Sequence, residues 1–190
     1  MLMEKDQTDL SYLVSNYDIE GKFKHGNVKI ITYPELKDYN NIDELVPEEI
    51  SACFILLETS KKSGHWTVVG RHDDTLYYFD SYGVAPDGEL KNISKSLRYE
   101  LGEDHHYLIY LFHHTDKYVY YNHFQYQSYH KGINTCGKWC VVFTKAVFAG
   151  VTLKGFKAGI EHLKKIYTEN NPGDKDYVLD RIANMLYVTY

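Results

Sequence analysis

Short apolar and aromatic runs along the chain predict a small β-sheet. The run Ala52–Leu57 is apolar throughout and is typical of a buried strand. Two β-branched and aromatic runs, 65–69 and 76–80, flank a polar Arg-His-Asp-Asp segment, which predicts a β-hairpin. The Tyr107–Phe112 run predicts a further buried strand.

Other segments carry their apolar residues at helical spacing. Leu90, Ile93, Leu97 and Leu101 predict an amphipathic helix over 89–101. The apolar positions from Cys136 to Phe148 predict a second helix that stops at Gly150, and two more helices are expected over about 155–168 and 174–187. Short helical turns are expected at Tyr33-Pro-Glu-Leu-Lys and Ile42-Asp-Glu-Leu. The order favours an α+β fold with a small mixed β-sheet packed against helices.

Composition supports one globular domain over residues 1–190, because the chain is 44% hydrophobic and 25% charged and contains no linker-like tract. The formal net charge of −5 provides no electrostatic footprint for nucleic acid or an anionic membrane. No apolar run approaches the roughly 18 residues that span a bilayer, so no membrane partner is expected. The acidic N-terminus does not resemble a secretory signal, which favours an intracellular protein.

The three cysteines are too few for a disulfide framework, and Cys136 lies where a polar loop becomes a helix. A thiol at a helix N-terminus is favoured as thiolate by the helix dipole and nearby N–H groups. Asn134 or Thr135 can cap this helix, and Gly137 adds no side chain beside the sulfur. Cys140 shares the helical face one turn on, but no further ligands at metal spacing accompany it, so it is interpreted as core packing.

A cysteine nucleophile needs a base, and His65 is the best candidate. Only His162 follows Cys136 in the chain, and it lies on a predicted amphipathic helix. If the hairpin turn is centred between His72 and Asp73, His65 faces Asp80 across the ladder on the same face of the sheet. A carboxylate there can fix the imidazole tautomer and stabilise the imidazolium. The sequence therefore predicts Cys136 as nucleophile, His65 as general base and Asp80 as its orienting group.

The order His65-Trp66, Asp80-Ser-Tyr-Gly, Gln and Cys136-Gly137 resembles the adenain/ubiquitin-like-protease clan of cysteine proteases over roughly residues 50–150. Tyr33-Pro-Glu-Leu before Ile-Asp-Glu-Leu, and Gln-Tyr-Gln before Thr-Cys-Gly-Lys-Trp, are most similar to the capsid-maturation proteases of virophages and giant DNA viruses. The resemblance implies a papain-related, adenain-like fold and the same three catalytic residues. It also implies a glutamine as oxyanion-hole donor.

That glutamine usually lies six or seven residues before the cysteine in the family, whereas Gln127 lies nine before it and Gln125 eleven. Gln127 is favoured, with Gln125 or another group left open. Trp66 is implied as the wall of a narrow groove that, with Gly137 and Gln125, binds substrate and selects glycine near the cleaved bond. The implied substrates are capsid or scaffold proteins in the host cytoplasm or virion. No cofactor or metal is implied, and a peptide or DNA co-activator, as in adenain, is an open question.

Three other functions remain open on the sequence alone. An isopeptidase that removes ubiquitin-like modifiers, and an acetyltransferase, would use the same fold and the same residues. A binding protein without catalysis would use these residues only for packing. Two apparent motifs are excluded: Gly132-Ile-Asn-Thr-Cys-Gly-Lys138 lacks the Ser or Thr of a P-loop, and the pairs at 105–106 and 113–114 are interpreted as solvated histidines rather than metal ligands.

Overall fold

The computed structural model describes residues 9–23, 27–60 and 63–189. Five strands form one mixed sheet in the order β1-β2-β3-β4-β5, in which β1 is parallel to β2, β2–β3–β4 are antiparallel and β5 is parallel to β4. The strands are β1 (Val28–Thr32), β2 (Ile50–Ser60), β3 (Ser63–His72), β4 (Thr75–Asp80) and β5 (Tyr118–Tyr121). The helices are α1 (Asn16–Lys22), α2 (Lys95–Leu101), α3 (Tyr107–Phe112), α4 (Cys136–Phe148), α5 (Leu153–Asn170) and α6 (Val178–Thr189), with 3-10 turns at Tyr33–Asp38, Ile42–Glu44 and Gly88–Asn92.

Both faces of the sheet are covered, because successive residues of a strand point to opposite sides. On β2, Phe54 belongs to the core beneath helices α4, α5 and α6, where Phe79 stacks on Phe143 at 4.4 Å. Cys53 and Ile55 belong to a second core with residues of the 3-10 turns and α3. The predicted α+β class with a small mixed sheet packed against helices is confirmed.

Several elements lie where the sequence predicts them. The buried strand at Ala52–Leu57 is the centre of β2, and the runs 65–69 and 76–80 form the β3–β4 hairpin. The helix expected from Cys136 to Phe148 has those bounds, and Gly150 after it adopts a left-handed φ of 75°, as a helix stop requires. Helices α5 and α6 correspond to the two predicted C-terminal helices.

The Tyr107–Phe112 run is a helix, so the prediction of a strand there was wrong. Asp87 supplies the reason, since its carboxylate accepts the backbone N–H groups of Leu108 and Ile109 at the start of α3. Those N–H groups have no partner within a helix, and a carboxylate satisfies them while interacting favourably with the helix dipole. Tyr33 donates its hydroxyl to the same carboxylate at 2.6 Å and holds it in place.

The predicted helix over 89–101 is interrupted. A 3-10 turn at Gly88–Asn92 ends before Ile93, and α2 starts afresh with Ser94 as its N-cap, whose hydroxyl accepts the N–H of Leu97. Strands β1 and β5 were not predicted from the sequence. Both border the sheet, and β5 is only four residues long with mixed burial, so its periodicity is weak.

Candidate active site

His65 and Asp80 lie on the same face of the β3–β4 hairpin as Val69 and Tyr78 of the second core. The predicted pairing of His65 with Asp80 was wrong by two residues, because Thr67 is the direct partner of Asp80. The turn is centred between Asp73 and Asp74, with Asp73 at a φ of 52°. A slip of two residues keeps a side chain on the same face of a strand. His65 therefore still reaches Asp80 diagonally, with 3.2 Å between Nε2 and Oδ1.

The Asp80 carboxylate is fully buried and its position is fixed by neighbouring groups. Oδ1 accepts the backbone N–H of Tyr82 at 2.7 Å. Asn122 accepts the backbone N–H of Asp80 and donates to its carbonyl, at 2.9 and 2.8 Å. The N–H at His65 Nε2 is not well aligned with either carboxylate oxygen. The contact is therefore chiefly a charge pair.

Cys136 is the first residue of α4 and is 6% exposed. Burial acts to raise the pKa of this thiol, but hydrogen bonding and charge from the His65 ring, together with the N–H groups of Trp66 and Gly137, hold the pKa below its ordinary value. Nε2 of His65 faces Asp80, so Nδ1 is the ring atom left for the sulfur. The arrangement favours a thiolate.

The pKa of His65 is shifted in the opposite direction to that of Cys136. Burial acts to lower the pKa of His65, but the Asp80 carboxylate and the Cys136 sulfur raise it well above its usual value. One face of the ring is also covered by Tyr82, which stacks on it with 4.9 Å between centroids, and Tyr129 stacks in turn on Tyr82 at 4.1 Å. An aromatic face stabilises an adjacent cation. Together these contacts favour a thiolate–imidazolium pair.

Gln127 is buried, and its side chain links three segments of the site. Its Oε1 accepts the hydroxyl of Ser81 at 2.9 Å, and its Nε2 donates to the carbonyl of Ile133 at 3.0 Å. An amide nitrogen carries two hydrogens, and for the second one no acceptor is found within the described ranges. Gln125 is exposed and donates its amide to the Gln127 carbonyl at 2.8 Å, so it supports the loop.

A cleft of about 480 Å³ opens beside Cys136. Three parts of the chain form its walls. They are residues 13–17 and Glu20 of the N-terminal segment, Leu56, Glu58, Gly64 and Trp66 of the sheet, and Asn134 close to Cys136. Trp66 is 5% exposed and both packs in the core and borders the cleft. The sequence interpretation of these residues did not include the N-terminal segment.

The sequence suggested that Gly137 keeps the space beside the sulfur free of a side chain, whereas the structure shows a different need for glycine here. A Cβ at this position would lie 2.6 Å from Cβ of Val14 and 3.0 Å from Cδ1 of Trp66. The missing side chain therefore admits the N-terminal segment against α4. Residues 9–15 of the N-terminal segment are called the strap below.

Hydrogen bonds tie the strap to the start of α4 and to β3. Asn134 donates its backbone N–H to Leu10 O at 2.7 Å and its amide to Ser11 O at 2.9 Å, and Trp66 donates Nε1 to Val14 O at 2.9 Å. Lys138 donates Nζ to Asp9 O at 2.6 Å. This lysine is buried and serves the strap, which agrees with the exclusion of a P-loop.

The remaining sequence interpretations concern Cys140 and the histidine pairs. Cys140 is fully buried in the core, with its sulfur 3.3 Å from the carbonyl of Trp66. The residues at 105–106 and 113–114 are exposed, and the described part of the chain contains no cluster of three or more His, Cys, Asp or Glu side chains that could hold a metal. Among the described helices none is both long and apolar enough to cross a membrane.

Fold and site together define an α+β chain in which a cysteine lines a cleft and a histidine and an aspartate lie behind it. No protein-family model matches the chain. Uncharacterized protein V9 of Sputnik virophage is 35% identical over 130 residues, which are 68% of this chain and 73% of V9. The chain therefore belongs to the family of this virophage protein.

Two solved structures illustrate the more distant similarities. The ASFV pS273R protease is 15% identical with a TM-score of 0.44, covering 93% of this chain and 67% of that one. The SUMO protease Ulp1 with its catalytic cysteine oxidised to a sulfinic acid is 14% identical with a TM-score of 0.41, covering 93% and 76%. Both neighbours are proteases by name, but likenesses this distant have no bearing on what this chain does.

Proposed function

We propose that this chain is a cysteine endopeptidase that cleaves protein substrates through an acyl-enzyme. The observation that carries the proposal is the arrangement of Cys136, at the first residue of a helix and lining an open cleft, with the His65 ring, which lies 3.2 Å from Asp80. This arrangement raises the pKa of His65 and lowers the pKa of Cys136. Shifts of this kind, produced by specific partners, are typical of catalytic groups. A structural cysteine in an apolar core has its pKa raised instead, as Cys53 does, to about 12.

In the proposed mechanism the Cys136 thiolate attacks the scissile carbonyl and forms a tetrahedral intermediate. The His65 imidazolium then gives its proton to the leaving amine, and a thioester remains on the sulfur. Water, deprotonated by the now neutral His65, hydrolyses the thioester and restores the pair. Asp80 orients the ring and stabilises its charged form through the 3.2 Å contact. This chemistry requires no metal and no organic cofactor.

The oxyanion of the intermediate is assigned to the backbone N–H of Cys136 and the amide of Gln127. The Ser81 and Ile133 contacts fix the plane of that amide, and they leave one of its hydrogens for a ligand. Each such donor contributes roughly 3–4 kcal/mol to transition-state stabilisation. Gln125 supports the loop that carries Gln127.

Trp66 lines the cleft together with Leu56 and Gly64. In keeping with the resemblance in the sequence, we propose that Trp66 is one wall of a narrow substrate groove, in which the substrate carries glycine or another small residue next to the cleaved bond. We propose capsid or scaffold precursors as substrates, in the host cytoplasm or the virion, in keeping with the virophage family.

A cleavage map tests this function. The protein and its Cys136→Ala variant are incubated with a diverse peptide library, and new termini are identified by mass spectrometry. We expect the wild type and a Cys53→Ala control to cut beside small residues, and Cys136→Ala to make no cuts. Cys53 is a suitable control because it is buried in the second core, on the face of the sheet opposite to α4. The map is repeated with added peptide and DNA to detect a co-activator. Absence of cuts under all conditions, with turnover of modifier–fluorophore conjugates, would replace the endopeptidase with an isopeptidase.

A further inference from the structure

One buried carboxylate from the C-terminal helix joins the two segments that carry the proposed oxyanion donors. Asp180, in the first turn of α6, is fully buried. Its Oδ1 accepts the Thr135 hydroxyl at 2.5 Å, and its Oδ2 accepts the Ser128 hydroxyl and backbone N–H at 2.6 and 3.2 Å. Thr135 immediately precedes Cys136, and Ser128 immediately follows Gln127.

The hydrogen bond to Asp180 turns the Thr135 side chain away from capping α4. Thr135 is the N-cap of α4, a position at which a threonine hydroxyl usually accepts an N–H of the first turn. Here the side chain makes no capping hydrogen bond, because it is turned toward Asp180, to which the hydroxyl donates. The N–H groups that an N-cap side chain usually binds are therefore not taken by it. One of them, the N–H of Gly137, is bonded to the Cys136 sulfur.

Burial of the Asp180 carboxylate costs free energy that its hydrogen-bond partners must offset. A buried charge needs compensating hydrogen bonds, and these two segments supply three of them to Asp180, in addition to its own backbone N–H. Burial raises the pKa of Asp180, while the bonds from Ser128 and Thr135 act in the opposite direction. The charged group that faces it from α4 is Lys138, whose Nζ is bound to Asn184 one turn further along α6.

We infer that Asp180 is a positioning residue that sets the distance between the Gln127 amide and the Cys136 N–H, and thereby forms the oxyanion hole. The inference rests on the proposed function, since it concerns the same site. A tetrahedral oxyanion needs each donor at about 2.7–3.1 Å, so a small shift of either segment weakens one bond. Loss of Asp180 should therefore impair steps that generate an oxyanion and spare those that need only the thiolate.

Two probes of Cys136 separate these steps. Iodoacetamide alkylates the sulfur by displacing iodide and creates no oxyanion. A peptide aldehyde ending in Gly-glycinal forms a hemithioacetal: the Cys136 thiolate bonds to the aldehyde carbon, the carbonyl π electrons move to the oxygen, and the proton that left the thiol stays on His65, so that the adduct carries an oxyanion. The Kd of the aldehyde and the alkylation rate are measured for wild type, Asp180→Ala, Asp180→Asn and the control Asn184→Ala, which removes the neighbouring contact between α6 and α4.

The expected result is at least about a tenfold weaker aldehyde Kd for Asp180→Ala. A smaller loss is expected for Asp180→Asn, and alkylation rates within about twofold of wild type are expected throughout. Asn184→Ala should bind the aldehyde as wild type does. If Asp180→Ala does not fold, Thr135→Val, which removes one tether, carries the same expectation.

Equal aldehyde Kd values in all variants, or parallel losses for Asp180→Ala and Asn184→Ala, would overturn the positioning role. Wild-type protein that alkylates rapidly but binds no aldehyde and cuts no peptide would overturn the proposed function itself. The two failures are thus distinguishable.

Discussion

Gly137 offers the sharpest test of how the strap is built into the active site. In a Gly137→Ala variant the new Cβ would lie 2.6 Å from Cβ of Val14 and 3.0 Å from Cδ1 of Trp66. Neither atom is the free end of a flexible side chain. Val14 Cβ is attached directly to a backbone that accepts the Trp66 indole at 2.9 Å, so relief requires the strap or the start of α4 to move.

The size of the effect follows from two opposing contributions. Overpacking a well-filled site typically costs about 1–3 kcal/mol. Replacing glycine by alanine inside a helix gains about 0.5–1 kcal/mol, and Gly137 lies in the first turn, where less of that gain applies. The net expectation is destabilisation by about 1–2 kcal/mol.

Gly159 supplies the matched control, because it lies within α5 and a Cβ there would meet no atom within 4 Å. Gly159→Ala should stabilise the protein by about 0.5–1 kcal/mol. Urea unfolding of both variants at equilibrium measures the difference, which should be about 1.5–3 kcal/mol. If Gly137→Ala were as stable as Gly159→Ala, the close packing of the strap on α4 would be refuted.

Two further predictions concern charge. Glu103 is fully buried, and burial raises its pKa to about 7. Between pH 4.5 and 7 the native carboxyl therefore holds a proton that the unfolded chain has released. The free energy of unfolding should fall as the pH rises through this window. Glu103→Gln should remove that loss and stabilise the protein at pH 8 by about 1–3 kcal/mol, measured by urea unfolding across pH; a pH profile identical to wild type would contradict it. Asp80→Ala should shift the onset of fast Cys136 alkylation to higher pH, because the pKa of His65 falls and its ring then stabilises the thiolate less. It should also reduce peptide cleavage less than His65→Ala does; equal losses of cleavage would contradict it.

The sequence was sufficient for the part of the site whose chemistry is local. A thiol at a helix start and a His–Asp pair across a hairpin are both visible in short segments, and each depends on one element or one turn. The error of two residues in the hairpin register did not separate the pair, because a slip by an even number keeps the face. An error of one residue would have placed His65 and Asp80 on opposite faces.

The errors arose where a distant group decides the local structure. Six apolar residues such as Tyr107–Phe112 suit a buried strand or one face of a short helix equally well. The carboxylate that favours the helix belongs to Asp87, twenty-one residues before Leu108, and it is held by the Tyr33 hydroxyl. No window of neighbouring residues contains that information.

The same reasoning explains which parts of the site were missed. Asp180 lies 45 residues beyond Thr135, and Asp9 lies 129 residues before Lys138, yet these contacts join the C-terminal helix and the strap to the start of α4. A catalytic group can be identified by its own chemistry, whereas a tether is an ordinary aspartate, lysine or glycine until its partner is known. Helix α4 is thus held from both ends of the chain, so residues far from Cys136 in sequence position the groups around it as directly as residues beside it.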